Sequence, residues 1–118
     1  MKRHKNCREA GDSVILYPDN YINDIEGEKL EDMCDAFIAR GFKKIIIDFA
    51  NTDLINSIGV SILIGIIEKV RDKKGVVAFS SLNAVNRDIF NIVGLTRHIS
   101  VYEDDEQAVA AQSERVLM

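Results

Sequence analysis

Cysteine and histidine are scarce in this chain. Cys7, Cys34, His4 and His98 are the only ones among 118 residues. They are too few for a disulfide framework and have no metal-ligand spacing between them. No metal and no cofactor is expected. Concentrated positive charge is missing too: fifteen basic against nineteen acidic residues give a net charge of −4, and outside the opening "MKRHK" the basic side chains are scattered. That excludes a stripe suited to phosphate backbones, so nucleic acid is not an expected partner. Long hydrophobic runs are lacking. "VSILIGII" is among the longest at eight residues, against the ~20 a membrane span needs. The basic, polar start has no apolar run behind it, unlike a signal peptide. The expected setting is cytoplasmic, with no membrane contact. A phosphate-cradling glycine loop is absent as well.

What is present is a chain with 47% apolar residues, enough for one domain over 1–118 that buries roughly two-thirds of its unfolded surface. Strands and helices alternate along it. "KNCREAGDSVIL" places a Gly11-Asp12 turn between two extended stretches, an opening hairpin. "SVILYP" (13–18) and "KKIIIDF" (43–49) are β-branched runs, the second unbroken enough to be buried on both faces. Between them Ile25, Leu30, Met33, Cys34, Phe37 and Ile38 recur at helical steps, and Gly41 is a natural stop. The cycle repeats with a helix near 58–73, Gly75, the strand "VVAFS" and a helix near 83–93. Gly94 then serves as a left-handed cap, with Leu95 packing back. "HISVYE" is the last strand. The fold class is therefore α/β: a mixed sheet of an opening hairpin followed by βαβ units, with helices packed on it, a core of about 12–104 and a closing helix of about 105–116.

Candidate chemistry is thin. Cys34 and Arg40 stand in the C-x5-R spacing of thiolate phosphatases, but within a helix, where a thiol on the apolar stripe is an inert core residue. Asp48 ends a buried strand as a phosphate-accepting aspartate would. The acidic pair that should hold magnesium is poorly matched by Asp19 and Asp24, so Asp48 reads as a solvated strand end. Neither His4 nor His98 is placed as a base. No catalytic residue is expected, and the chain is not expected to be an enzyme.

The junction "DLINSIGVSILIG" (53–65) carries more. Asn56 or Ser57 can cap the helix by accepting an orphan backbone N–H, and Gly59 permits close backbone approach. A helix N-terminus is also where an added phosphate is well tolerated. At ~100° per residue, Val60, Leu63, Ile64, Ile66, Ile67 and Val70 fall on one side. Ser61, Gly65, Glu68, Lys69 and Asp72 fall opposite, with Ile58 and Ile62 on the polar margin. Isoleucines exposed one turn apart beside a small serine form an apolar strip of the kind a partner covers.

From "SVILYP" through this junction to "HISVYEDDEQAV" the chain resembles the STAS domain of bacterial anti-sigma-factor antagonists. The family's D-S-S-G junction reads here as Asn56, Ser57, Ile58 and Gly59. The resemblance implies binding to an anti-sigma factor that is also an ATPase-type serine kinase, with release by phosphorylation of the second serine. That position is Ile58, which has no hydroxyl. The aspartate before the pair is Asn56, and another at the strand end after the hairpin aligns with Asn23. Phosphate would add about two negative charges to a contact surface, and isoleucine cannot accept it. The expected function is an antagonist-like module without the usual phospho-switch, contacting its partner through Asn23, Asn56, Ser57, Ile58, Ser61, Ile62 and the loop at 20–24. Ser57 is expected to be mainly a cap and at most a weak phosphosite. The chain is expected to be a monomer or homodimer; the alternative is a scaffold subunit that assembles with other STAS proteins in a stress-sensing complex.

Overall fold

The computed structural model describes residues 6–115, and only the backbone at His98; the opening basic cluster with His4 lies outside the described residues. The hairpin forms as its turn demands. Strands β1 (Cys7–Ala10) and β2 (Ser13–Leu16) pair antiparallel, and Gly11 sits at φ +62°, a conformation glycine adopts freely. The chain then runs through β3 (Tyr21–Ile22), α1 (Asp24–Ala39), β4 (Lys44–Asp48), β5 (Leu54–Ile55), α2 (Ser57–Asp72) and β6 (Val76–Ser80). It ends with α3 (Ala84–Ile92), a 3-10 turn at Leu95–His98, β7 (Ser100–Tyr102) and α4 (Asp105–Ser113).

The main sheet has the order β1-β2-β4-β6-β7, all parallel except the β1–β2 pair. Each crossover steps the same way across it, and right-handed crossovers that keep stepping one way put all their helices on one face. Alternating side chains follow. Val14, Leu16, Ile45, Ile47, Val77 and Phe79 point into the core under α1, α2 and α3. Ile15, Ile46 and Ala78 point to the other face, covered by Ala108 of α4. Phe49, Phe79 and Phe90 lock the main core, with ring centroids 5.0–5.6 Å apart.

Several expectations are corrected. Ile25 and Ile64 are not core residues. The buried stripe of α1 is Gly27, Leu30, Cys34 and Phe37, and Ile25, two residues before it and so about 200° around, is 67% exposed. Ile64 lies at the border of the α2 stripe, where a groove of about 190 Å³ opens between α2 and the end of α3. Apart from these, the left-handed residue that follows α2 is Lys74. Gly75 is required by crowding, because a Cβ there would stand 2.6 Å from the Lys43 carbonyl oxygen. The last strand begins at Ser100 rather than His98. β3 is the strand that leads to Asn23, as the resemblance implies, but its pairing with β5 in a separate two-stranded parallel sheet is not anticipated.

Candidate functional site

The small sheet builds the site. β3 and β5 pair Tyr21 with Leu54 and Ile22 with Ile55; the second pair is buried and the first faces solvent, as the two-residue period of a strand requires. Each strand ends in an asparagine that starts a helix. Asn23 Oδ1 accepts the Glu26 amide at 3.0 Å and Asn56 Oδ1 accepts the Gly59 amide at 2.8 Å. Parallel neighbouring strands therefore deliver two capped helix N-termini side by side. The Asn56 amide also donates to the Ile22 carbonyl at 3.1 Å, and Asn56 Nδ2 donates to Tyr21 Oη at 3.2 Å.

Glycine makes this approach possible. A Cβ on Gly59 would meet the Ile22 carbonyl oxygen at 2.4 Å, and one on Gly27 would meet Ile62 Cδ1 at 2.7 Å. Farther along, Lys69 Nζ bonds Glu31 at 2.9 Å and Asp35 at 2.8 Å, which fixes α1 and α2 alongside each other in the same direction. The two carboxylates hold the Lys69 ammonium well above the usual lysine range.

On this frame Asn23, Asn56, Ser57 and Ile58 come together, with Ser61 one turn further along the exposed face of α2. Asn56 is the cap. Ser57 is the first helical residue and exposed, so the expectation that Ser57 is mainly a cap is corrected. Ile62 is corrected as well: it is half-buried, packs on the core and lies against Gly27, so it fills the α1–α2 seam instead of the exposed strip. In its place the exposed apolar residues next to the junction are Tyr21 (42% exposed) and Leu54 (52%), paired across the small sheet, and Ile58 (52%), four residues on from Leu54. The alternation in "YI" and "LI" was the only signal for Tyr21 and Leu54, and two residues do not establish a period. Asp19, Asp24 and Asp53 make the rim acidic, and Asn20 ties it together by accepting the Asp53 and Leu54 amides.

The competing chemistry does not assemble. Cys34 is fully buried, and burial pushes its thiol up to about 12, which keeps it protonated and unreactive. Arg40 sits at the far end of α1, stacked on Phe37 and Phe42 and paired with Glu9. Asp48 is no solvated strand end, which corrects that reading: it is buried and accepts Ser80 Oγ and Ser81 Oγ, each at 2.7 Å, and the Ala50 amide at 2.9 Å. No group of three metal-ligating side chains occurs among the described residues. No described helix is long and apolar enough to cross a membrane.

Comparison with known proteins places this geometry. The STAS domain family profile matches residues 4–108. A candidate anti-sigma factor antagonist of Thermotoga neapolitana, the homolog of TM1081, is 27% identical over 100 residues, spanning 83% of this chain and 88% of that one. Another candidate antagonist, BtrV of Bordetella bronchiseptica, is 26% identical over 90 residues, 76% of this chain and 78% of its own. The crystal structure of TM1081 from Thermotoga maritima superposes with a TM-score of 0.83 at 20% identity, covering 92% of this chain and 93% of that one, a likeness of fold.

Proposed function

The chain belongs to the STAS domain family, and from that premise we propose that it acts as an anti-sigma-factor-antagonist-like binding module, holding an ATPase-type anti-sigma kinase without the family's phosphoserine switch. The observation that carries the proposal is Ile58, half-exposed in the first turn of α2 at the family's acceptor position, on the helix that the Tyr21–Leu54 pair of the small sheet leads into. Large apolar side chains exposed on Tyr21, Leu54 and Ile58, where the small sheet meets the start of α2, favour a protein partner. Asn23 and Asn56 fit the same reading. Asparagine caps a helix as well as aspartate does, so both positions keep their structural role while losing charge. The remaining rim is acidic and favours basic residues around the partner's apolar contact.

The test is titration calorimetry of the chain against the ATPase-type anti-sigma kinase encoded by its source organism. Ile58→Glu places a charge in the contact, so affinity should fall at least tenfold. Its melting temperature should move by no more than about 2 °C, as for an exposed substitution worth within ±0.5 kcal/mol. Val60→Glu, at a buried position two residues on, should instead prevent folding. Absence of binding by the unmodified chain, or equal affinity in Ile58→Glu, rejects the reading.

A further inference from the structure

The two faces of the main sheet are unequally covered. Twenty buried apolar residues form the core on the α1–α3 side and four, Ala108 of α4 among them, form the one between α4 and the sheet, so α4 has little apolar burial to hold it. Its less exposed side chains, spaced by three and four residues, are Asp105, Ala108, Val109, Ala111 and Gln112, small or polar for the most part in place of the bulky apolar stripe that docks a surface helix. Gln112 is fully buried, and neither its Oε1 nor its Nε2 finds a hydrogen-bond partner among the described residues. Ser13 on β2, whose side chain alternates with Val14 and therefore faces α4, is fully buried, and its Oγ has no partner among the described residues. Burying such groups without partners opposes docking.

Polar bonds at the two ends of α4 hold it down. At one end Asp105 accepts Tyr17 Oη at 2.6 Å and Arg8 Nη2 at 3.3 Å. At the other, Lys44 Nζ, buried at the start of β4, bonds Asp12 at 2.8 Å and the Arg115 carbonyl at 2.9 Å. A helix held at its ends over a poorly matched middle is suited to leave as a unit.

We propose that α4 is a detachable cover. It opens while the rest of the fold stays intact, uncovering a strip of Ile15, Ile46 and Ala78 bounded by the Lys44 ammonium at one end and the Asp48 carboxylate at the other. This motion leaves the Ile58 patch on the opposite side of the sheet untouched. Hydrogen exchange of the whole chain, read by mass spectrometry in peptides covering 105–113 and 44–48, tests it. The α4 amides should exchange at least a hundredfold faster than those of β4. Gln112→Leu, and Gln112→Met should the branched side chain fit badly, should slow exchange in α4 at least tenfold and leave β4 unchanged. Tyr17→Phe, which removes an end anchor, should speed it. Exchange of α4 and β4 in one common event overturns the proposal, as does a Gln112 substitution that moves both peptides alike.

Discussion

Two glycines of the same helix should respond to the same substitution with opposite signs. In Gly59→Ala the added Cβ falls 2.4 Å from the Ile22 carbonyl oxygen and 3.1 Å from both the Ile22 carbonyl carbon and Cγ2. The obstacle includes backbone of the small sheet, so α2 must withdraw from β3. Overpacking of this kind costs about 1–3 kcal/mol, more than the ~1 kcal/mol that alanine gains over glycine in helix propensity. In Gly65→Ala nothing lies within 4 Å of the new Cβ and the propensity gain stands alone. With an unfolding entropy of about 2.1 cal/mol/K per residue, the 118 residues give about 4 °C of melting temperature per kcal/mol. Gly59→Ala should therefore melt up to about 8 °C lower and Gly65→Ala up to about 4 °C higher. Calorimetric melting of the two variants beside the parent chain measures both. Because Ile58 precedes Gly59 directly, the first should also weaken partner binding, whereas the second should not. Equal stability of the two variants would refute the claim that contact between β3 and the start of α2 positions the site.

The Tyr17–Asp105 contact predicts a pH window for α4. The hydrogen bond from Tyr17, then that from Arg8, lowers the Asp105 carboxyl from its usual 3.8, and a depressed carboxyl contributes stability above its unfolded value that is lost as pH falls through the folded one. Burial, then the bond to Asp105, pushes the Tyr17 hydroxyl up to about 12, so its contribution is complete below about 10 and lost as pH rises through 12. Protection of α4 should be level from about pH 5 to 9 and fall on both sides; an acid limb unchanged in Asp105→Asn would sink this assignment. Phosphorylation gives a separate test at the junction. With the kinase and ATP, intact mass should show little addition to the parent chain and one phosphate on Ile58→Ser, whereas near-complete addition to the parent that disappears in Ser57→Ala would reverse the reading of the switch.

How far such features can be read from sequence depends on the distance over which they are decided. β4 and β6 are legible because a strand buried on both faces must be a continuous apolar run. The cap at Asn56 is legible as one of two candidates, since the cap bond is made within four consecutive residues, Asn56 to Gly59. The placement of Ile62 is not local. Its own helix leaves it on a polar margin, and what buries it is Gly27, which lets α1 come close. Asp48 is similar: its strand predicts an exposed end, and the hydroxyls that bury it arrive from the end of β6. Tyr21 and Leu54 become a surface pair only when two strands of two residues each, 33 positions apart, lie side by side. No periodicity can show in so short a segment.

The same distinction explains why α4 was legible as a helix and not as a cover. Its N-cap, Asp104, accepts the Gln107 amide and follows from local capping rules, whereas its docking face has no apolar stripe to identify it. That face is set by topology. Since the three crossovers β2–β4, β4–β6 and β6–β7 all step in one direction, their helices cover one side of the sheet. The segment after β7 is left to cover the other side. A row of Asp105, Ala108, Val109, Ala111 and Gln112 suits a helix that must stay soluble when it lifts off, and it is a poor choice for one that never does. Bulky apolar residues in those positions would have held α4 in place and made the strip beneath it inaccessible.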